Sequence, residues 1–227
     1  MALNFLNCFL DLGHTPPSNS YIKIENSSKT ELFYPLRVNV CNRCWLVQTE
    51  DFAKSSVFFS ADYAYFSSVS SSWLDHAKKY ALSITKALSL CSDSFVVEIA
   101  SNDGYLLRNF VEYGIPCLGV EPTHSTADAA ESQGIPVLRE FFGKELGRQI
   151  AKSNSQADLI VGNNVFAHVP DINDFALGLK VLLKGGGTVT LEFAHLMQLL
   201  RHSQFDTVYH EHFSYLSLHA VSEIFKK

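Results

Sequence analysis

The sequence predicts an α/β protein, an open and mostly parallel sheet covered by helices, with a small β-rich module ahead of it. Two patterns predict this. From Ser94 onward, short apolar runs alternate with helical segments, as repeated βαβ units around a parallel sheet require. Before about residue 60 that alternation is absent, and extended pieces such as Leu36-Arg37-Val38-Asn39-Val40 sit among turn residues such as Pro16-Pro17-Ser18-Asn19. The expected division is a module over residues 1–66 and an α/β domain over 67–227.

A Ser-rich stretch, Ser67 to Ser72, leads into a helix over about Trp73–Leu90. There Leu74, Ala77, Ala81, Ile84 and Leu88 recur at three- and four-residue spacing. Strands are expected at Phe95–Ile99, Cys117–Glu121, Pro136–Leu138, Asp158–Gly162 and Thr188–Glu192. The helices between them end at glycines: Tyr105–Tyr113 at Gly114, Thr126–Gln133 at Gly134, and Phe175–Leu183 at Gly185-Gly186-Gly187.

Composition narrows the function. The chain has 227 residues, 47% hydrophobic and 18% charged, enough for a real core. Its formal charge is −5 and its pI near 6.0, so it lacks the positive footprint of a nucleic-acid-binding protein. No apolar run approaches the roughly 20 residues of a membrane span, and the start Met1-Ala2-Leu3-Asn4 lacks a signal-peptide profile. With five cysteines and only Cys41 and Cys44 closely spaced, no secreted disulfide framework is indicated. The expectation is a cytoplasmic protein, monomeric, with no nucleic-acid or membrane partner.

In open α/β sheets, ligands bind beyond the carboxyl ends of strands. The first expected strand runs into Glu98-Ile99-Ala100-Ser101-Asn102-Asp103-Gly104. A dinucleotide loop needs several glycines so that its backbone approaches a pyrophosphate; this loop has one glycine and two carboxylates, which repel phosphate. S-adenosylmethionine carries a sulfonium and an ammonium instead, and acidic and amide side chains suit both. Glu121-Pro122 ends the second strand, where a carboxylate can accept hydrogen bonds from ribose hydroxyls, and Asn163-Asn164 follow the fourth. The cofactor-binding set is therefore Glu98, Ala100, Ser101, Asn102, Asp103, Gly104, Glu121, Pro122, Asn163 and Asn164. The plain alternatives are that Asn102-Asp103-Gly104 is a helix-capping turn and Glu121-Pro122 a strand exit.

At these residues the chain resembles the bacterial sugar C-methyltransferases, which act on nucleotide-linked 4-keto-deoxysugars. The resemblance runs over nearly the whole chain. It includes Phe9-Leu10-Asp11-Leu12-Gly13, Cys41-x-x-Cys44-x-Leu46-Val47-Gln48, Asp62-Tyr63-x-Tyr65-x-Ser67-Ser68, Glu98-Ile99-x-Ser101-Asn102-Asp103-Gly104 and Gly119-Val120-Glu121-Pro122. It continues through Asn163-Asn164-Val165-x-Ala167-His168-Val169 and Phe205-Asp206-Thr207-x-Tyr209-His210-Glu211-His212-Phe213-Ser214-Tyr215. It implies a Rossmann-like class I methyltransferase domain behind an N-terminal zinc module, with a C-terminal domain completing the sugar site.

Two departures follow. The family holds zinc with four cysteines, of which only the second pair, Cys41 and Cys44, is present; the first would fall at or before Met1, so full zinc occupancy is not expected. The sugar-site domain is expected to be truncated after about residue 215.

Methylating a carbon beside a ketone needs a base for the α-proton and stabilisation of the enolate that attacks the methyl. By resemblance, His212 is the base and Tyr209 protonates or orients the keto oxygen. Glu211, His168 and Tyr63 are the further catalytic candidates. Against these stand a metal pair at His210 and His212, a capping role for His168, and a core-aromatic role for Tyr63. An O- or N-methyltransferase on another small molecule, or a non-catalytic cofactor-binding module, are the alternative functions.

Overall fold

The structure is a computed structural model that describes residues 5–18, 21–50 and 65–226. In chain order the elements begin with β1 (Phe5–Thr15), β2 (Tyr34–Cys41), β3 (Val47–Thr49) and α1 (Ser71–Leu88). They continue with β4 (Val96–Ile99), α2 (Leu107–Glu112), β5 (Cys117–Val120), α3 (His124–Glu131), β6 (Val137–Leu138) and α4 (Lys144–Ser153). Then come β7 (Ala157–Asn163), α5 (Ile172–Leu182), β8 (Leu183–Glu192), α6 (Leu196–Arg201), β9 (Ser214–Tyr215) and α7 (Leu218–Phe225).

The described residues fall into two compact units. One groups those of residues 5–50 with 166–172 and 193–226; the other takes 65–165 and 173–192.

In the larger unit, five strands lie in the order β6-β5-β4-β7-β8, every neighbouring pair parallel. This is the α/β class expected from the sequence. Helices cover such a sheet on both faces, so β4 and β5 are buried at every position and read as unbroken apolar runs apart from Glu98 and Gly119. From β4 the chain winds outward to β5 and β6, then crosses back to β7 and β8. Strand order therefore reverses between β4 and β7, where an open sheet leaves a crevice at the carboxyl ends. The core beneath includes Leu106, Leu107, Phe110, Ile135 and Leu159, each at most 1% exposed. Helix α1 begins at Ser70, whose hydroxyl accepts from the Trp73 amide, and turns Ala77 and Ala81 into the core.

Helices α4 and α5 are fastened backbone to backbone. A Cβ on Gly147 would lie 2.7 Å from the Gly178 carbonyl oxygen, and the Asp174 carboxylate accepts from the Lys144 amide at the start of α4.

One expectation is corrected. Gly185-Gly186-Gly187 do not stop a helix ahead of a short strand; β8 already starts at Leu183 and runs through them. Its pairing with β7 slips between Ala157 and Leu159, and the extra residues bulge there. Gly187 is needed because a Cβ would meet the Ala157 carbonyl oxygen at 2.9 Å.

The smaller unit is an antiparallel sheet in the order β1-β2-β3-β9. Val38, Val47 and Tyr215 form its buried centre, with Leu10, Leu196, Leu199 and Val208 packed against them. Among the described residues, no helix is long and apolar enough to cross a membrane.

Candidate functional site

Two groups of sequence-predicted residues assemble, one within each unit. The first lies in the larger unit, in the loop that leaves β4. Here the backbone is unusual: Ala100, Asn102 and Gly104 all have positive φ, at 58°, 50° and 77°. Left-handed backbone at a residue with a Cβ costs on the order of 1–2 kcal/mol, so the loop is held by its partners rather than by local preference. Those partners are visible. The amides of Ala100 and Ser101 donate to the Val120 carbonyl, and the Asn102 amide donates to Glu121 Oε2 at 2.9 Å. Asn102 Oδ1 and Asp103 Oδ2 accept from the amides of Ser67 and Ser68 at 2.9 and 3.0 Å. At Gly104 a Cβ would fall 2.3 Å from Ile135 Cδ1, so this position requires glycine for both space and φ.

Glu121 stands at the end of β5, buried. Its Oε1 accepts from the Thr123 amide and hydroxyl, and its Oε2 from Asn102. Three of about four carboxylate lone-pair positions are thus engaged, leaving one on Oε2 for a further donor. Pro122 is half-buried and Asn163 closes β7 opposite Glu192; Asn164, at φ 52°, donates its amide to the Glu192 carbonyl at 2.7 Å.

A buried polar atom without a protein partner is open to a water or a ligand. Ser101 Oγ and Asp103 Oδ1 are buried with no hydrogen-bond partner among the described residues, and the Glu98 carboxylate, also buried, has the Tyr105 hydroxyl beside it. Burial pushes the Glu98 carboxyl well above the usual carboxylate range. The neighbouring Tyr105 hydroxyl opposes that shift, while the charges of Glu121 and Asp103 add to it. An incoming cation would reverse the penalty, and these acceptors fit a ligand bearing an ammonium group and ribose hydroxyls. Sequence reading missed Tyr105 and Thr123. Tyr105 looked like one more apolar residue of its helix, and Thr123 followed a Pro as an ordinary turn residue.

The second group lies in the smaller unit and gathers Tyr209, Glu211, His212 and His168. His212 Nδ1 lies 2.8 Å from the Thr207 carbonyl oxygen, which only accepts, so this nitrogen carries the proton. In the neutral ring Nε2 is then bare, and it accepts from the Tyr209 hydroxyl at 2.9 Å. Burial lowers the His212 pKa below its ordinary value, against a smaller opposing effect of the Thr207 carbonyl, and keeps the ring neutral at neutral pH. The imidazole of His168 is tilted against that of His212 at a centroid distance of 4.6 Å. Its Nδ1 donates to the Glu211 carbonyl at 3.0 Å. Packing on most sides pulls the His168 pKa down to about 3, with His212 adding to the effect. Glu211 is buried, and its Oε1 accepts from the Ser18 hydroxyl at 3.0 Å.

His210 does not join this cluster. Its Nε2 turns to the Tyr34 and Pro35 carbonyls at 3.3 and 3.2 Å, tying the motif to β2. The alternate-residue metal pair therefore fails, since the two rings serve different partners. Thr207 was not nominated from the sequence, because it acts through a main-chain carbonyl that every residue has. Tyr63 lies outside the described residues.

Among the described residues, no three His, Cys, Asp or Glu side chains converge to hold a metal ion. Cys41 and Cys44 share the turn after β2, while Cys8 sits on β1 opposite Asn39 with its thiol directed at the Leu10 carbonyl. This turn supplies two thiols, half of the donors that a structural zinc site takes.

Comparison with known proteins agrees with this architecture. Residues 73–227 match a family model described as "Methyltransferase domain", and residues 4–59 match one described as "Putative zinc binding domain". The C-methyltransferase NovU of Streptomyces niveus is 34% identical over 217 residues, 96% of this chain but 51% of that protein, so the chain spans about half the length of this curated relative. Among solved structures, a SAM-dependent methyltransferase from Archaeoglobus fulgidus is 15% identical with a TM-score of 0.54. The YcgJ protein of Bacillus subtilis is 17% identical with a TM-score of 0.52. Each alignment covers 67% of both chains, and the likeness shows the fold. Since the methyltransferase model takes in well over half of the residues, on a sheet of matching topology, the chain belongs to the methyltransferase family.

Proposed function

We propose that the chain is part of an S-adenosylmethionine-dependent C-methyltransferase that acts on a nucleotide-linked keto-deoxysugar, at the carbon beside the ketone. The observation that carries this reading is the neutral His212 ring with its proton fixed on Nδ1 and its Nε2 lone pair turned to Tyr209. A base of that kind suits a weakly acidic carbon and has little use where the acceptor is already nucleophilic. The 34% identity to a protein named as a C-methyltransferase supports the same choice.

When bound, S-adenosylmethionine supplies an electrophilic methyl group. The residues that would hold it are Glu98, Ser101 and Asp103 for its charged methionine end and Glu121 for the ribose. Asn102 and Gly104 shape the loop around it, with Ala100, Pro122, Asn163 and Asn164 at the neighbouring strand ends. On the substrate side, the Tyr209 hydroxyl exchanges His212 Nε2 for the keto oxygen as its acceptor. That exchange bares the lone pair of His212, which takes the α-proton while Tyr209 stabilises the developing enolate. Neutral His168 keeps a second positive charge away from the imidazolium so formed, and Glu211 holds the turn. Tyr63 completes the proposed set on the strength of the resemblance.

The test is solvent exchange. In deuterated water, with a nucleotide-linked 4-keto-deoxysugar and no S-adenosylmethionine, the protein should place deuterium beside the ketone. Exchange no faster than in buffer, from protein whose thermal midpoint rises with the cofactor, would remove the proposed substrate reaction while leaving the methyltransferase family intact.

A further inference from the structure

Residues 65–68 run beside the loop that leaves β4, within the same unit, and meet it with their main chain. The Ser67 amide donates to Asn102 Oδ1 at 2.9 Å, and Asn102 Nδ2 donates back to the Tyr65 carbonyl at 3.1 Å. An amide only donates and a carbonyl only accepts, so the Asn102 carboxamide is fixed in this orientation. It pairs with the segment as the peptide group of a neighbouring strand would. One residue on, the Ser68 amide donates to Asp103 Oδ2 at 3.0 Å. Ser67 and Asn102 are buried, whereas Tyr65 and Val69 stand 59% and 85% exposed, so these three bonds are a main hold on the segment. On its other side the loop is fastened by the Asn102 amide to Glu121 and by the Asp103 carbonyl to Gln133. Asp103 thus divides its carboxylate: Oδ2 holds Ser68, and Oδ1, buried, has no partner among the described residues.

We infer that residues 65–68 are a part of the cofactor site that closes together with the cofactor, and that Asn102 is the positioning residue that docks them. This rests on the reading that the loop after β4 holds S-adenosylmethionine. An ammonium group drawn to Asp103 Oδ1 fixes the plane of the carboxylate and keeps Oδ2 turned to the Ser68 amide. Ribose held at Glu121 Oε2 steadies the Asn102 amide in the same way. Cofactor and segment therefore order the same two residues from opposite sides, and once one is in place less disorder is left for the other to remove. Such coupling is reciprocal: the factor by which the cofactor favours the docked segment is the factor by which the docked segment favours the cofactor.

The test is hydrogen exchange, resolved by residue with NMR on the isotopically labelled chain, with and without saturating S-adenosylmethionine. The cofactor should slow exchange of the Ser67 and Ser68 amides at least about fivefold, the lower end of ordinary coupling between sites. The Asn154 amide, bonded to Ile150 at the end of α4, should be unaffected. Asn102→Gly removes both side-chain bonds yet accepts the φ of 50° at that position. In this variant the Ser67 amide should exchange fast whether or not the cofactor is present. Its affinity for the cofactor, measured by calorimetry, should fall by the same factor as the slowing in the parent, to within about threefold. Asn102→Asp, which keeps an acceptor for Ser67 and loses the donor to Tyr65, should recover part of that affinity. If the cofactor shifts the resonances of residues 101–104 while Ser67 and Ser68 exchange as before, the cofactor site stands and the coupling is overturned. Should Asn102→Gly bind as tightly as the parent, Asn102 has no positioning role. A cofactor that shifts none of those loop resonances is seated elsewhere, and the inference falls with the site. The measurement on the unsubstituted chain decides the coupling even where Asn102→Gly does not fold.

Discussion

Tyr209 and His212 are joined through the single nitrogen that can act as a base: the phenol donates to Nε2 at 2.9 Å while Thr207 holds Nδ1. Under the proposed function, His212→Asn and Tyr209→Phe should each lower methyl transfer by about 10²–10⁴-fold, the usual range for general acid–base groups. Cofactor affinity measured by calorimetry should stay within about twofold. They should differ in solvent exchange, where His212→Asn abolishes deuterium uptake and Tyr209→Phe leaves part of it. Equal loss of affinity and thermal midpoint in both variants would make the pair structural.

Acid should loosen the smaller unit through His168. Its folded pKa of about 3 lies below the ordinary 6.5, so the folded state binds fewer protons than the unfolded one. Stability is then fully present above pH 6.5 and declines as pH falls toward 3. With His168 half-buried, the loss is about 1–3 kcal/mol rather than the whole shift. His168→Gln should flatten the dependence of the urea midpoint on pH across that window; an unchanged slope would assign the loss to other groups.

Glu98 has the opposite sign. Its folded pKa is raised, so it weighs against folding as pH climbs above the ordinary carboxylate value. Glu98→Gln should raise the thermal midpoint of the ligand-free protein at pH 7 and shrink the further rise given by S-adenosylmethionine. A variant that is less stable without ligand would show that the carboxylate supports the fold instead.

Glu121 has two tasks in the proposed site. Removing it in Glu121→Ala should weaken S-adenosylmethionine binding by about 1–3 kcal/mol, the range for unpaired hydrogen-bonding groups. Because Asn102 and Thr123 lose their acceptor as well, the ligand-free midpoint should drop too. An unchanged dissociation constant would remove Glu121 from the ribose role.

Much of the larger unit was legible because a parallel sheet leaves a strong trace: β4, β5 and β7 are apolar runs set between glycine-stopped helices. Helix α4 escaped notice although Leu146 and Ile150 have the right spacing, because Gly147 reads as a helix breaker. Its reason, contact with Gly178, is a tertiary fact. Strand β9, two residues long, and the short helix α6 are set by packing and leave no periodicity to read. In the site, side-chain identities were readable while their partners were not. The loop residues from Glu98 to Gly104 stand out in the sequence, yet what holds them is the amides of Ser67 and Ser68, the Val120 carbonyl and the Glu121 carboxylate, pairings invisible in one-letter code.

The glycine contact between α4 and α5 also limits how the molecule can respond to a ligand. Where Gly147 of α4 meets the Gly178 carbonyl of α5 there is no side chain to repack, so small rotamer changes cannot let the helices slide past each other there. Adjustment on that side of the sheet is therefore confined to rigid displacement of the two helices together, and finer adaptation falls to the loops at the strand ends. Sequence drift should follow the same division, with bulk tolerated along the exposed flanks of both helices and refused at Gly147 and Gly178, where they meet.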